Sequence, residues 1–410
     1  MPAVAAKPGV HQVLATLRSG DAISNQALGI ARVLREAGYD SEIIAEQAET
    51  GLRDLIVDDR DIRDVVGPDD IVLLHFSIGS RAMHAAFAWP SRMILMYHNV
   101  TPPEHFVGVY DTLARLCHQG RRELAAFRAR VDLALGDSEY NRRELDALGF
   151  APTAVFPVVP DFRHLSGPPD PTVLALFDDD WTNILFVGRV ATNKRPDNLI
   201  RHVHGYQTRF NPRSRLLVAG TAEGFGDYLV RLRVLAAELG VEEVHFLGQV
   251  TNEALAALYA VADVFLSASE HEGFCVPLLE AFYMGVPVVA LGSSAVPDTL
   301  DGGGVLYTAQ DDVAAILHAL VTDETRRDRV LAAQNAALGR WLSQDFTGLL
   351  LARIAQAAAA PRRPPPPVAD GFWDAFEAVA DATLTRPLAF HRLPPWPASR
   401  RRTRAAGARA

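Results

Sequence analysis

Short apolar runs alternate with longer helical stretches through most of these 410 residues, and they do so in two successive series. The first series has strand candidates at 12–17, 43–44, 71–75, 93–97 and 131–135, separated by helical patterns at 24–37, 80–88, 110–128 and 139–147. The second has strands at 183–187, 215–219, 244–247, 264–266, 287–290 and 304–307, with helices near 197–209, 227–239, 252–260 and 276–284 between them. Strands separated by helices pair in parallel, because a parallel connection needs a crossover long enough to hold a helix. The predicted class is therefore α/β, with two Rossmann-like, doubly wound domains. The rhythm lapses over the proline-rich stretch 157–171, which sets the domains at 1–165 and 166–360. Residues 361–410 form a separate tail: a polyproline spacer at 361–367, an apolar-faced stretch at 371–384 that predicts a short docking helix, and a basic end.

Composition removes several classes of function. A net charge of −9 carries no basic stripe of the kind that general nucleic-acid binders show. The two cysteines, Cys117 and Cys275, are far apart and belong to no Cys/His cluster, so neither a disulfide framework nor a zinc site is expected. No apolar run reaches the length of a membrane span, and the first ten residues lack the order of a signal peptide. A cytoplasmic location is expected. The tail arginines Arg400, Arg401, Arg402, Arg404 and Arg409 read as a solvated end, with weak peripheral contact to anionic lipid on the inner membrane face as the alternative. No Gly-x-Gly-x-x-Gly follows the first strand, which argues against an ordinary dinucleotide oxidoreductase.

Ligands of open parallel sheets bind beyond the carboxyl ends of the strands, so the polar residues there are the site candidates. Two stretches stand out. In Ser267-Ala-Ser-Glu-His-Glu-Gly-Phe-Cys-Val-Pro-Leu-Leu-Glu280, a strand leads through a polar turn into a helix whose first turn carries Pro277, where no amide partner is lost. Glu272 in the turn and Glu280 in the helix are then roughly 12 Å apart, too far for a two-carboxylate hydrolytic pair. In Gly188-Arg-Val-Ala-Thr-Asn-Lys194, two cations follow a strand end with no acidic residue between them, a pattern that suits a diphosphate.

Together these stretches resemble the Glu-x7-Glu and Gly-Arg-x4-Lys motifs of the retaining family 4 glycosyltransferases, which have the GT-B fold: two such domains facing across a cleft. Arg195 stands where glycine often follows the lysine. The resemblance implies a nucleotide-sugar-binding second domain and an acceptor-binding first domain. It implies that Arg189 and Lys194 bind the donor's diphosphate, that Glu272 holds hydroxyls of the transferred sugar and that Glu280 holds the ribose. Gly188, Gly273, Phe274, the amides of Cys275 and Val276, Val250 beside the base, and Gly20 in the first loop complete the donor side. His98, at a strand end, is expected near the reacting sugar, and Asp21 and Asn99 on the acceptor side. His75 is expected to be structural.

The implied reaction needs no cofactor and no metal, with a UDP- or GDP-sugar as donor and a saccharide, lipid-linked or small-molecule hydroxyl as acceptor. Asp178-Asp-Asp180 reads as a solvated turn rather than a metal site. The arginines Arg121, Arg122, Arg128 and Arg130 read as a solvated face, with a lipid-diphosphate acceptor as the alternative. Two other readings stay open: a nucleotide-sugar epimerase or phosphorylase of this architecture, and a scaffold that binds the donor without turnover.

Overall fold

The computed structural model describes residues 7–377, and in them the two series form two separate parallel sheets. The first contains β1 (Val10–Leu17), β2 (Ile43–Ala48), β3 (Val57–Asp58), β4 (Ile71–Phe76), β5 (Arg92–Tyr97), β6 (Leu133–Gly136) and β7 (Thr153–Val155), in the order β3-β2-β1-β4-β5-β6-β7. The second contains β8 (Thr182–Val187), β9 (Ser214–Ala219), β10 (Val244–Gly248), β11 (Val264–Ser267), β12 (Val288–Leu291) and β13 (Val305–Tyr307), in the order β10-β9-β8-β11-β12-β13. Central strands such as β4 and β9 are buried at every residue because helices cover both faces, which is why they read as unbroken apolar runs. The strand order reverses between β1 and β4 and between β8 and β11, which places one crevice at the carboxyl edge of each sheet. β3 and β7 escape the sequence reading; with two and three residues they are too short to show a period.

Helix starts follow side-chain chemistry. Asp21, Ser80 and Ser138 each accept a hydrogen bond from an amide in the first turn of the helix they open. The Asp21 carboxylate is therefore occupied by Ser24, through both its amide and its hydroxyl, and serves as a cap.

The end of the chain corrects the expected domain limit at 360. The helix Phe346–Ala359 returns to the first sheet, where Leu350, Ile354 and Ala357 share a core cluster with Val10, Leu73, Ile94 and Leu133. Arg92 Nη1 then ties down the helix end by donating to the carbonyls of Ala357 (3.0 Å) and Ala360 (2.8 Å). Beyond the spacer, Trp373 stacks on His84 at 4.0 Å and 6°, and the short helix Asp374–Glu377 follows. The rest of the tail, including its basic end, lies outside the described residues.

Candidate active site

The two carboxyl edges face each other and touch. The His271 Nε2 atom lies 2.7 Å from Asn99 Oδ1, and the Tyr140 amide donates to Asp298 at 2.8 Å. Thr192 donates through its hydroxyl to the His105 carbonyl, and the Tyr110 ring packs edge-on against Phe225. His271 is a neutral partner in this contact. Burial, followed by the charges of His105, Arg121 and Lys194, holds its pKa at about 3.

On the second domain, three neighbouring strands end in glycine. Gly220, at φ +147, leaves no room for a Cβ beside Gly188, and Gly248 follows at the edge. This close approach brings the backbone after β8 and β9 to the mouth of the cleft. The loop from Gly188 then carries Arg189, an exposed guanidinium that lies 5.5 Å from the Phe225 ring and, among the described residues, pairs with no carboxylate. The same loop ends in Lys194, whose ammonium donates to Glu272 Oε2 at 2.5 Å. Burial acts to lower the Lys194 pKa, but the Glu272 charge and hydrogen bond outweigh it and raise the pKa above the ordinary lysine value. The sequence-predicted cation and the first predicted glutamate thus meet.

Arg195 holds this arrangement in place. Its backbone adopts φ +51, the left-handed region where glycine is favoured, and its guanidinium grips Asp197 through two bonds of 2.9 Å while also reaching Glu270. The Glu270 amide donates to the Asn193 carbonyl at 2.8 Å, and the Asn193 amide group donates to the His271 carbonyl at 3.1 Å. The loop from Gly188 to Arg195 and the glutamate turn are therefore one fastened unit.

The helix Val276–Tyr283 starts from Cys275, which sits at φ +80 and contributes no side-chain cap. Its thiol is pushed well up, by burial first and then by Glu272, so it remains protonated. Glu280, one turn into the helix, accepts from the buried Tyr259 hydroxyl at 2.9 Å and meets His164 at 3.0 Å. Val276 opens the helix, while Val250 packs, half-buried, on the core of the second domain. Phe274 points away from the cleft: it is buried, edge-on against Trp341 at 5.3 Å, so only its backbone faces the turn.

In the first domain, Gly20 adopts φ +73 with open space around it. The structure places His98 differently from the expectation. Its side chain is 2% exposed and both ring nitrogens are used, Nδ1 by Asp137 (2.8 Å) and Nε2 by His75 (2.8 Å). The chain continues from His75 Nε2 to Gln12 Oε1 at 2.9 Å, and Gln12 donates to the Ala27 carbonyl. That last bond makes Gln12 Oε1 the acceptor, so His75 carries its proton on Nε2. Burial, then His98, pushes the His75 pKa well down, leaving its Nδ1 to accept from His98. With His75 on one side and Asp137 on the other, His98 has no free nitrogen for a ligand. Asn99, at φ +75, binds Asn141 and Glu144 as well as His271, so its side chain serves the domain contact.

Each of the four arginines singled out between 121 and 130 is engaged by the protein. Arg121 binds Glu144 and the Val100 carbonyl, Arg122 the carbonyls of Ala375 and Phe376, and Arg128 that of Leu148. Arg130 is buried among the carbonyls of Phe87, Trp89 and Ser91. Asp179 and Asp180 pair with Arg215 and Arg213, and no cluster of ligating side chains suited to a metal ion occurs among the described residues. No described helix is long and apolar enough to cross a membrane.

Two Rossmann-like sheets meeting at their carboxyl edges define the GT-B class. Anabaena Alr3699/HepE, solved with UDP and glucose, superposes with a TM-score of 0.66 at 16% identity, over 85% of this chain and 99% of that one. WaaG, a glycosyltransferase involved in lipopolysaccharide biosynthesis, gives 0.62 at 15% identity, over 86% and 100%. At such identities the likeness is one of fold.

Residues 175–336 match the family described as glycosyl transferases group 1. The D-inositol 3-phosphate glycosyltransferase of Stackebrandtia nassauensis is 36% identical over 200 residues, 46% of this chain and 45% of the relative. The GDP-mannose-dependent alpha-(1-6)-phosphatidylinositol monomannoside mannosyltransferase of Mycolicibacterium smegmatis is 32% identical over 232 residues, 52% of this chain and 59% of the relative. The chain thus spans about half the length of these relatives.

Proposed function

We propose that the chain is a retaining glycosyltransferase that moves a hexose-type sugar from a nucleoside diphosphate sugar to an acceptor hydroxyl. The observation that carries this reading is the fastened unit in which Lys194 meets Glu272 beside the exposed Arg189. Two cations at the mouth of the cleft supply the charge that a departing diphosphate develops, and preorganised charge of this kind is usually the largest catalytic contribution. No metal ion is needed for that role. Glu272 takes the sugar hydroxyls as Lys194 turns to phosphate, Glu280 takes the ribose, and the amides of Cys275 and Val276 add neutral donors.

The acceptor oxygen bonds to the anomeric carbon on the face from which the diphosphate leaves. The carbon–oxygen bond to the diphosphate breaks with its electron pair going to the diphosphate, and a diphosphate oxygen takes the acceptor's proton. The configuration is retained. Asn99–His271 and Tyr140–Asp298 bring acceptor and donor sides together, as closure of a two-domain transferase requires. The names of the relatives and neighbours support UDP- or GDP-sugars as donors and a saccharide, an inositol-type or a lipid-linked hydroxyl as acceptor.

The test is to incubate the protein with UDP-glucose and GDP-mannose in the presence of candidate acceptors and to follow the nucleoside diphosphate. Release with sugar transfer supports the reading. Epimer formation, or binding with no release from any donor, contradicts it.

A further inference from the structure

Both oxygens of Glu280 are engaged by side chains of the protein. Oε2 accepts from Tyr259, which is fully buried, and Oε1 lies 3.0 Å from His164 Nε2. The other His164 nitrogen, Nδ1, lies 3.1 Å from the Asp161 carbonyl. A carboxylate and a carbonyl can only accept, so both ring nitrogens carry protons and the ring is an imidazolium. His164 belongs to the turn Arg163–Leu165, in the segment that crosses from the first sheet to the second. That segment is fastened to the helix bearing Glu280: Phe162 stacks on Tyr283 at 4.6 Å and 15°, and Leu165 is buried in the core of the second domain. With 28% of its side chain exposed against none for Tyr259, His164 is the partner of Glu280 on the solvent side.

We propose that His164 competes with the donor for Glu280: its ring holds the carboxylate oxygen that the ribose hydroxyls must reach, so the donor binds as the ring lets go. This rests on the reading of Glu280 as the ribose carboxylate. Sequence alone could not show it, because 116 positions separate the two residues.

The groups around the ring make the competition pH-dependent. On its own turn lie Asp161 and Arg163, which pair with each other; the facing helix offers Glu280 and Tyr283, and the helix Asn252–Val261 offers Tyr259. Tyr259 is held well above its ordinary value by burial and does not titrate near neutrality. The Glu280 hydrogen bond raises the His164 pKa above its ordinary value of 6.5, against the effect of burial. Protonated His164 opposes the donor, so affinity is weakest at acid pH and rises as pH passes upward through the raised value.

The experiment is titration calorimetry of the full chain with UDP-glucose and with GDP-mannose over about pH 5.5–8.5, the range in which a histidine changes charge. Sugar nucleotides are used because their diphosphate loses no proton in that range. For the wild type, affinity should climb by up to about tenfold per pH unit below the ring's pKa. Binding should also release protons, seen as a heat that differs between buffers of different ionisation enthalpy. His164→Ala should bind more tightly at acid pH with a flat profile. A flat wild-type profile with no proton release, or a slope that survives in His164→Ala, overturns the competition while leaving the donor reading intact. Failure of the wild type to bind either sugar nucleotide at any pH overturns the donor reading, and the competition with it.

Discussion

Gly273 of the second domain rests on the backbone of the first: a Cβ there would lie 2.8 Å from the His98 carbonyl oxygen and 2.9 Å from Asn99 Cβ. The glutamate turn can approach the opposite strand end only because this residue has no side chain. Gly273→Ala should therefore force the domains apart by a few tenths of an ångström while each stays folded. Overpacking of this kind costs about 1–3 kcal/mol, here borne by the contact between domains. The expected outcome is a fall in kcat of about tenfold or more, with the melting temperature within a few degrees of wild type. Unchanged kcat would show that the contact is not part of the working geometry.

Arg195 permits a clean separation of backbone from side-chain effects. Arg195→Gly and Arg195→Ala both remove the grip on Asp197 and Glu270, but alanine retains the Cβ that disfavours φ +51. Urea unfolding should find the alanine variant less stable than the glycine variant by about 1 kcal/mol. Equal stabilities would mean that the loop relaxes out of the left-handed region.

How far the sequence anticipates the molecule depends on the range over which each signal acts. The longer strands of both sheets are legible because a parallel core imposes local apolar runs, and the motif at 267–280 is legible because its strand, turn and helix are contiguous. The packing of Leu350 and Ile354 beneath β5 is not legible: nothing local distinguishes a helix that returns to the first sheet from one that stays on the second. His98 and Asp137 lie 39 positions apart, and only the pairing of β5 with β6 brings them together. Asp21 read as an acceptor contact because a cap and a ligand-binding carboxylate use the same residue at the same kind of strand end.

Because the last helix completes the first domain's core, Ile354→Ala should destabilise that domain. Ile354 is 2% exposed, and truncating such a side chain to alanine typically costs about 2–5 kcal/mol. Fluorescence from Trp89, which lies in the first domain, should report the loss during urea unfolding. An effect seen only by Trp341, which belongs to the second domain's core, would place the helix there instead.

His98→Ala tests the buried chain of Asp137, His98, His75 and Gln12. It leaves the Asp137 carboxylate, 5% exposed, without its hydrogen-bond partner, and an unsatisfied buried polar group costs about 1–3 kcal/mol, more when it is charged. Adding Asp137→Asn should recover part of that stability, because the unpaired charge is removed. If His98→Ala instead lowers only turnover and leaves stability intact, the ring is a substrate contact after all.

Fold stability and donor binding should respond to pH in opposite directions at His164. Its folded pKa is raised above the ordinary 6.5, so the stabilisation from the Glu280 pair is complete below about 6.5 and is lost as pH rises through the folded value. Thermal unfolding of wild type compared with His164→Ala should show their difference shrinking as pH increases through that window. A constant difference would mean that the ring does not titrate there.

The central claim is that Arg189 and Lys194 together neutralise the leaving diphosphate. Its most direct test replaces both with alanine and measures, on the folded protein, nucleoside diphosphate affinity and the rate of sugar transfer. Both should fall by about 100-fold or more, measured below the melting temperature of the variant, which drops because Glu272 loses its Lys194 partner. Affinity and transfer that survive undiminished would contradict it.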